Sequence, residues 1–98
     1  MEKLNSNKII EKLKENRREF RSRGVKKLGL FGSYVKGKQT KGSDVDILVE
    51  FEDVTFDNYM DVLFLIEKLL KRKVDLIIEE SLRPELNYVK REARYVRL

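Results

Sequence analysis

Apolar residues in this chain alternate between helical and extended spacing, a pattern typical of a small α/β (α+β) domain. Segments with helical spacing or helix-start signals cover residues 5–23, 33–38, 58–71 and 81–94. Shorter apolar runs, predicted to be strands, cover residues 25–31, 45–51 and 73–79. This order of elements predicts a small mixed β-sheet with helices packed on one face.

Two of the predicted helices carry distinctive apolar arcs. Residues 58–71, with Asp57 as the predicted N-cap, are apolar over a wider arc than contact with one sheet face requires. This helix is therefore either deeply buried or packed in part against another subunit. Residues 81–94 have Pro84 in their first turn, a position that tolerates proline. Apolar residues at helical spacing predict a core-facing stripe here, formed by Leu82, Leu86, Val89, Ala93 and Val96.

The second predicted strand begins at an Asp-x-Asp sequence, with Asp44 and Asp46 two positions apart. Side chains two apart on a strand lie on the same face, so both carboxylates project away from the core-facing Val45 and Ile47. Adjacent carboxylates repel each other unless a cation lies between them. Such oxygen ligands suit a hard ion such as Mg²⁺, which also binds substrate phosphates. The alternative is that the pair only decorates a turn and a strand edge.

Gly32 and Ser33 follow the first predicted strand and open a short helix. Backbone N–H groups and a hydroxyl at such a point can bind an anion, although glycine and serine are also common in ordinary turns. The glycine–serine pair followed by the Asp-x-Asp sequence is more specific than either feature alone, and together they favour nucleotide chemistry. Three lysines lie near this predicted phosphate site, at Lys36, Lys38 and Lys41.

Asp75 is the one acidic residue inside the apolar third strand. A carboxylate there costs free energy unless it is ion-paired or bound to a metal. A salt bridge to a nearby lysine is one explanation. We favour the other, in which the third strand lies beside the second and brings Asp75 level with Asp46 to complete a metal site.

Composition excludes several kinds of chemistry. The chain contains no cysteine and no histidine, so disulfides, thiol chemistry, His-ligated zinc and His-based acid–base catalysis are excluded. The net charge of +5, from 22 basic and 17 acidic residues, suits anionic partners such as ATP. No nucleic-acid-binding motif appears. No apolar run reaches the roughly 18 residues of a membrane span, so we expect one cytoplasmic domain covering residues 1–98.

Two short sequences, GSYVKG at residues 32–37 and SDVDILV at residues 43–49, resemble the signature of the DNA polymerase β-like nucleotidyltransferases. The similarity is closest to the minimal nucleotidyltransferase (MNT) domains, which occur as antitoxins paired with HEPN-domain ribonuclease toxins. The resemblance covers roughly residues 10–96, because the sequence from Lys73 to Val96 is also similar to this family. One departure is Lys36, where members often carry arginine, so the charge is kept and a bidentate contact is lost.

The resemblance implies the polymerase β-like nucleotidyltransferase fold and a set of residue roles. The implied catalytic and metal-binding residues are Asp44, Asp46 and Asp75, which would hold two Mg²⁺ ions. The implied nucleotide-binding residues are Gly32, Ser33, Lys36 and Ser43. The implied reaction transfers AMP from ATP to a hydroxyl, expected to be a tyrosine, of a partner HEPN toxin.

Two other functions compete with this interpretation. The chain would be a binding module if it neutralised its partner by masking it, with a vestigial nucleotide site. Direct binding of nucleic acid would rest only on the basic charge. The three acidic residues argue for the enzyme.

Overall fold

The computed structural model describes residues 3–98, which fold around a four-stranded mixed sheet. The strands are β1 (Val25–Phe31), β2 (Val45–Phe51), β3 (Val74–Ile78) and β4 (Arg94–Arg97). Their spatial order is β3-β2-β1-β4, with β1 antiparallel to β2 and β4, and with β2 parallel to β3. The predicted mixed sheet is confirmed, and β4 is an additional strand that the apolar pattern did not predict.

Helices pack against this sheet. They are α1 (Ser6–Glu15), α2 (Arg17–Ser22), α3 (Ser33–Lys36), α4 (Phe56–Leu70) and α5 (Tyr88–Glu92), with 3₁₀ turns at Glu79–Ser81 and Pro84–Leu86. Residues from α1, α2, α4 and the sheet share one buried core. No helix in the described part of the chain is both long and apolar enough to cross a membrane.

The predicted first helix is divided in two at Asn16. Asn5 caps α1 by accepting a hydrogen bond from the Lys8 N–H at 2.9 Å. At Asn16 the side-chain amide donates to the carbonyl of Lys12 at 2.8 Å, in competition with the helix's own hydrogen bonds. Asn16 therefore ends α1. Helix α2 ends at Ser22, two residues before Gly24, where a positive φ of 79° turns the chain toward β1.

The broad apolar arc of α4 is only partly buried inside the domain. The prediction of Asp57 as the N-cap was wrong, because the Thr55 hydroxyl accepts the hydrogen bond from the Asn58 N–H at 3.0 Å. Val62 and Ile66 are fully buried in the core. On the opposite side, Phe56 and Phe64 are 77% and 57% exposed. One part of the arc thus packs inside the domain, and another faces outward.

The prediction of one continuous helix over residues 81–94 was wrong. Arg83 has an extended conformation, as expected for a residue before proline, and Ala93 is extended as well. Only α5 remains helical, and the chain then enters β4 beside β1. Of the predicted core stripe, Val96 is fully buried, opposite Leu28 in the sheet, whereas Leu86 is 38% exposed.

A connected polar network secures β4 on the second face of the sheet. The Lys27 ammonium lies 3.3 Å from a carboxylate oxygen of Glu79 and 3.7 Å from one of Glu50. It also lies 4.5 Å from the centre of the Tyr95 ring, whose hydroxyl donates to Glu79 at 2.5 Å. Burial alone would raise the pKa of Glu79, but the Tyr95 hydrogen bond and the Lys27 charge outweigh it and lower that pKa. The face that carries the predicted site is therefore partly covered.

Candidate active site

The sheet register brings two of the predicted acidic residues side by side. Asp46 in β2 pairs with Asp75 in the parallel strand β3, at a strand spacing of about 4.8 Å. Asp44 lies two positions before Asp46, immediately ahead of β2. Asp46 is half-buried, while Asp44 and Asp75 are exposed. The predicted placement of Asp75 level with Asp46 is confirmed at the level of the backbone.

The three carboxylates interact electrostatically. The pKa of Asp46 is raised, chiefly because burial disfavours its charge, and further by the negative charges of Asp75 and then Asp44. The side chain of Asp46 therefore lies in a field that a nearby cation would relieve. This is the electrostatic environment expected of a carboxylate group built to hold a positive ion.

The metal site itself remains a prediction. Within residues 3–98, no group of three acidic side chains is arranged closely enough to hold a metal ion. The donor chemistry nevertheless fits Mg²⁺, since Asp44, Asp46 and Asp75 offer only oxygen ligands and repel one another. Among the described residues, no lysine or arginine forms an ion pair with any of these three, so the salt-bridge explanation for Asp75 finds no support.

Gly32 packs directly against the carboxylate of Asp46. Its backbone has φ 77° and ψ −148°, a conformation that side-chain-bearing residues rarely adopt. A Cβ atom at this position would overlap the Asp46 carboxylate and lie 3.0 Å from its Cγ. The register explains the contact, since Phe31, the residue before Gly32, is paired with Asp46. The turn at Gly32 is therefore in direct contact with Asp46, and Ser33 begins α3 at the next position.

Lys36 lies on the far side of the Gly32 turn, next to α5. Together with Gly32 it lines a cavity of about 160 Å³ that is completed by Phe31, Tyr88, Val89 and Glu92. Its ammonium is 3.8 Å from a carboxylate oxygen of Glu92, and both side chains are about half exposed. Glu92 was not among the predicted site residues, because the sequence pattern placed it on a core helix. The Lys36–Glu92 pair sits where an anionic ligand at Gly32 would compete with Glu92.

Ser43 and the other two lysines occupy different surroundings. The Ser43 hydroxyl accepts a hydrogen bond from the Thr40 N–H at 2.8 Å, so it stabilises the turn ahead of Asp44. Its role in binding a nucleotide stays a prediction. Lys38 follows α3 and is exposed. Lys41 lines a separate cavity, which shares no residue with the one beside Gly32.

Tyr59 is a neighbour of the acidic group that the sequence did not reveal. Its hydroxyl donates to the carbonyl of Leu76 at 2.5 Å, one residue beyond Asp75. Burial, followed by the charge of Asp75, raises the pKa of Tyr59. In the sequence, Tyr59 has the same helical spacing as the apolar residues of α4. No local pattern therefore distinguished it from a core residue.

Comparison with known sequences identifies related proteins over nearly the whole chain. The nucleotidyltransferase domain family matches residues 7–97. The protein adenylyltransferase MntA of Thermococcus cleftensis is 38% identical over 99 residues, covering 98% of this chain and 100% of that protein.

Comparison with solved structures identifies the same kind of protein. A chain of a toxin–antitoxin crystal structure with AMP-PNP superposes with a TM-score of 0.65 at 29% identity, covering 94% of this chain and 72% of that one. A chain of the complex between the tri-AMPylated Shewanella oneidensis HEPN toxin and its MNT antitoxin gives a TM-score of 0.56 at 25% identity, covering 91% and 66%. These structures agree with the predicted fold.

Proposed function

The chain belongs to the nucleotidyltransferase domain family, and from that premise we propose that it transfers AMP from ATP to a tyrosine hydroxyl of a HEPN-type toxin and so acts as its antitoxin. One observation carries this proposal: Gly32 packs against Asp46, and Asp46 pairs with Asp75. A turn suited to phosphate and a group of carboxylates thereby meet at one end of the sheet. The similarity to MntA and to the complex with an AMPylated toxin supports the reaction and the partner.

Residues of the Gly32 turn and the three aspartates would bind different parts of the nucleotide and its metal ion. Gly32, which has no side chain, lets the backbone approach the β- and γ-phosphates, and Ser33 donates its hydroxyl to them. Lys36 would exchange its contact with Glu92 for one with the triphosphate. Asp44, Asp46 and Asp75 would hold Mg²⁺. The bound ion would neutralise part of the negative charge on the phosphates.

The transfer itself needs no covalent intermediate with the protein. The acceptor oxygen attacks the α-phosphorus, the bond from the α-phosphorus to the bridging oxygen breaks, and pyrophosphate leaves. The exposed carboxylate of Asp75 takes the proton of the acceptor hydroxyl. A direct transfer agrees with a chain that contains neither cysteine nor histidine.

The direct test is transfer of label. The protein is incubated with Mg²⁺, ATP labelled at the α-phosphate and the HEPN-type toxin proposed as its partner. We expect the partner to acquire the label and to gain the mass of AMP, whereas ATP labelled at the γ-phosphate leaves it unlabelled. A stable complex whose partner never acquires α-label would contradict the proposal.

The outer side of α4 is the surface on which we expect the partner to dock. Phe56 and Phe64 lie two helical turns apart with Met60 between them, and the exposed Asp57 and Asp61 border this stripe. An apolar centre with an acidic border, on a chain of net charge +5, fits a partner surface that is apolar and bordered by lysine or arginine. The observation refines the prediction that part of this helix contacts another subunit.

Replacing both Phe56 and Phe64 by serine should weaken the complex about tenfold or more, because large aromatic anchors dominate interfaces. The fold should be unaffected, since both side chains are largely exposed. Calorimetry measures the affinity, and light scattering of the isolated chain reports self-association. Leu86→Ser, which alters an exposed apolar residue elsewhere, is the matched control. Wild-type affinity in the double variant would exclude this surface as the docking site.

A further inference from the structure

A second and larger cavity lies between the segments that lead into β2 and β3. Its volume is about 630 Å³, within the range of about 300–1,000 Å³ that is usual for small-molecule sites. It is separate from the cavity beside Gly32, although Tyr34, next to Ser33, reaches its wall. The residues that define it are Lys3, Leu4, Tyr34, Gln39, Lys41 and Arg72.

Among the described residues, all charged side chains that line this cavity are positive. They are Lys3, Lys41 and Arg72. Within residues 3–98 none of these three cations forms an ion pair, in contrast to Lys27 and Lys36 on the other side of the domain. Three uncompensated cations around one concave space produce a potential that attracts an anion.

The cavity also contains an acceptor that lacks a donor. The side-chain oxygen Oε1 of Gln39 is buried, and among the described residues it accepts no hydrogen bond. A buried polar atom without a partner costs about 1–3 kcal/mol, so such atoms usually meet a ligand or a solvent molecule. A fully deprotonated anion cannot satisfy Gln39, because it has no proton to donate. The ligand that fits must carry negative charge and a donor group together.

We propose that this cavity binds a nucleoside phosphate as a small-molecule ligand, at a site distinct from the proposed transfer site. Its phosphate would bind Lys41 and Arg72, which has further N–H groups beyond the one that donates to the Lys71 carbonyl at 3.0 Å. A ribose hydroxyl or base amine would donate to Gln39. The side chains of Leu4 and Tyr34 provide the apolar part of the wall.

A ligand in this cavity would affect the proposed active site. Gln39 and Lys41 lie five and three residues before Asp44, in the loop that carries it into β2. A ligand bound to both would hold this loop in one conformation. The site can therefore couple the concentration of a nucleotide to the placement of Asp44.

Amide chemical-shift mapping tests the proposal on the full chain without a divalent metal. The probes are AMP, adenosine and inorganic phosphate. We expect AMP to shift the amides of residues 39–41 and 72 and to bind at least about tenfold more tightly than either of the other two. Adenosine lacks the charge, and inorganic phosphate lacks the nucleoside surface that Leu4 and Tyr34 would contact. Shifts confined to residues 32–36 would place AMP at the proposed transfer site and overturn the inference. Equal affinity for inorganic phosphate or for adenosine would overturn it too.

Charge substitutions provide the second arm of the test. Lys41→Gln with Arg72→Gln should weaken AMP binding at least about tenfold, since each removes a charged hydrogen-bond donor. The matched control is Lys12→Gln with Lys14→Gln on the exposed side of α1, which removes the same charge and should leave the affinity unchanged. Equal losses in both double variants would mean that only net charge matters, and the cavity would then be excluded. Transfer of AMP to the partner is measured separately, so the outcome for the proposed function is independent of this one.

Discussion

Replacing Asp44 and Asp46 together by alanine is expected to abolish neutralisation of the toxin while leaving the complex intact. The proposed reaction depends on compensating charge that develops at the phosphates, which is usually the largest contribution to such catalysis. We expect the rate of AMP transfer to fall about a thousandfold or more. Neither carboxylate lies on the outer side of α4, so docking should be unchanged. Growth rescue in co-expression and the intact mass of the toxin measure the two effects.

The same variant separates the enzyme from the masking module. If the protein acts by masking, the double variant rescues growth as well as the wild type and the toxin mass never changes; that result would overturn the enzyme assignment.

A thermal-melting experiment tests the metal assignment by itself. ATP with Mg²⁺ should raise the melting temperature of the wild type, because a ligand of the native state stabilises it. Asp46→Asn should lose most of this increase and remain folded.

Gly32→Val is expected to eliminate binding of ATP with Mg²⁺ at the proposed transfer site. Two effects act together at this position, the positive φ of 77° and the absence of space for a Cβ beside the Asp46 carboxylate. A valine must displace either the turn or Asp46, and both belong to the proposed site. Calorimetry with ATP and Mg²⁺ should show at least a hundredfold weaker affinity. The milder change Ser33→Ala should cost about 1–3 kcal/mol of binding free energy.

Gly42→Val is the matched control for this experiment. Gly42 lies in the same segment of the chain, but a Cβ there would meet nothing within 4 Å, and its φ is not in the positive region. The control should bind ATP as the wild type does. Melting curves of both valine variants establish whether each is folded. Wild-type affinity in a folded Gly32→Val protein would reduce the glycine–serine pair to an ordinary turn.

The sequence by itself determined the elements that form from local signals. Strands β1, β2 and β3 were predicted because each is a short, mainly apolar run bounded by polar residues or glycine. The order of Gly32, Asp44 and Asp46 indicated the candidate site, since turn chemistry and alternation along a strand act over a few residues. Asp75 was also found locally, because an acid inside an apolar run is conspicuous.

Only the tertiary structure decided the features that depend on distant partners. Residues 94–97 form a strand because β1 offers an unpaired edge, although their apolar spacing continued a helical pattern. The contact of Gly32 with Asp46 follows from the register of β1 on β2, and the pairing of Lys36 with Glu92 follows from the path of α5. Lys36 and Lys41, which are five residues apart, line separate cavities. Local spacing specifies which face a side chain occupies, whereas what lies opposite that face is fixed by pairing between segments far apart in the chain.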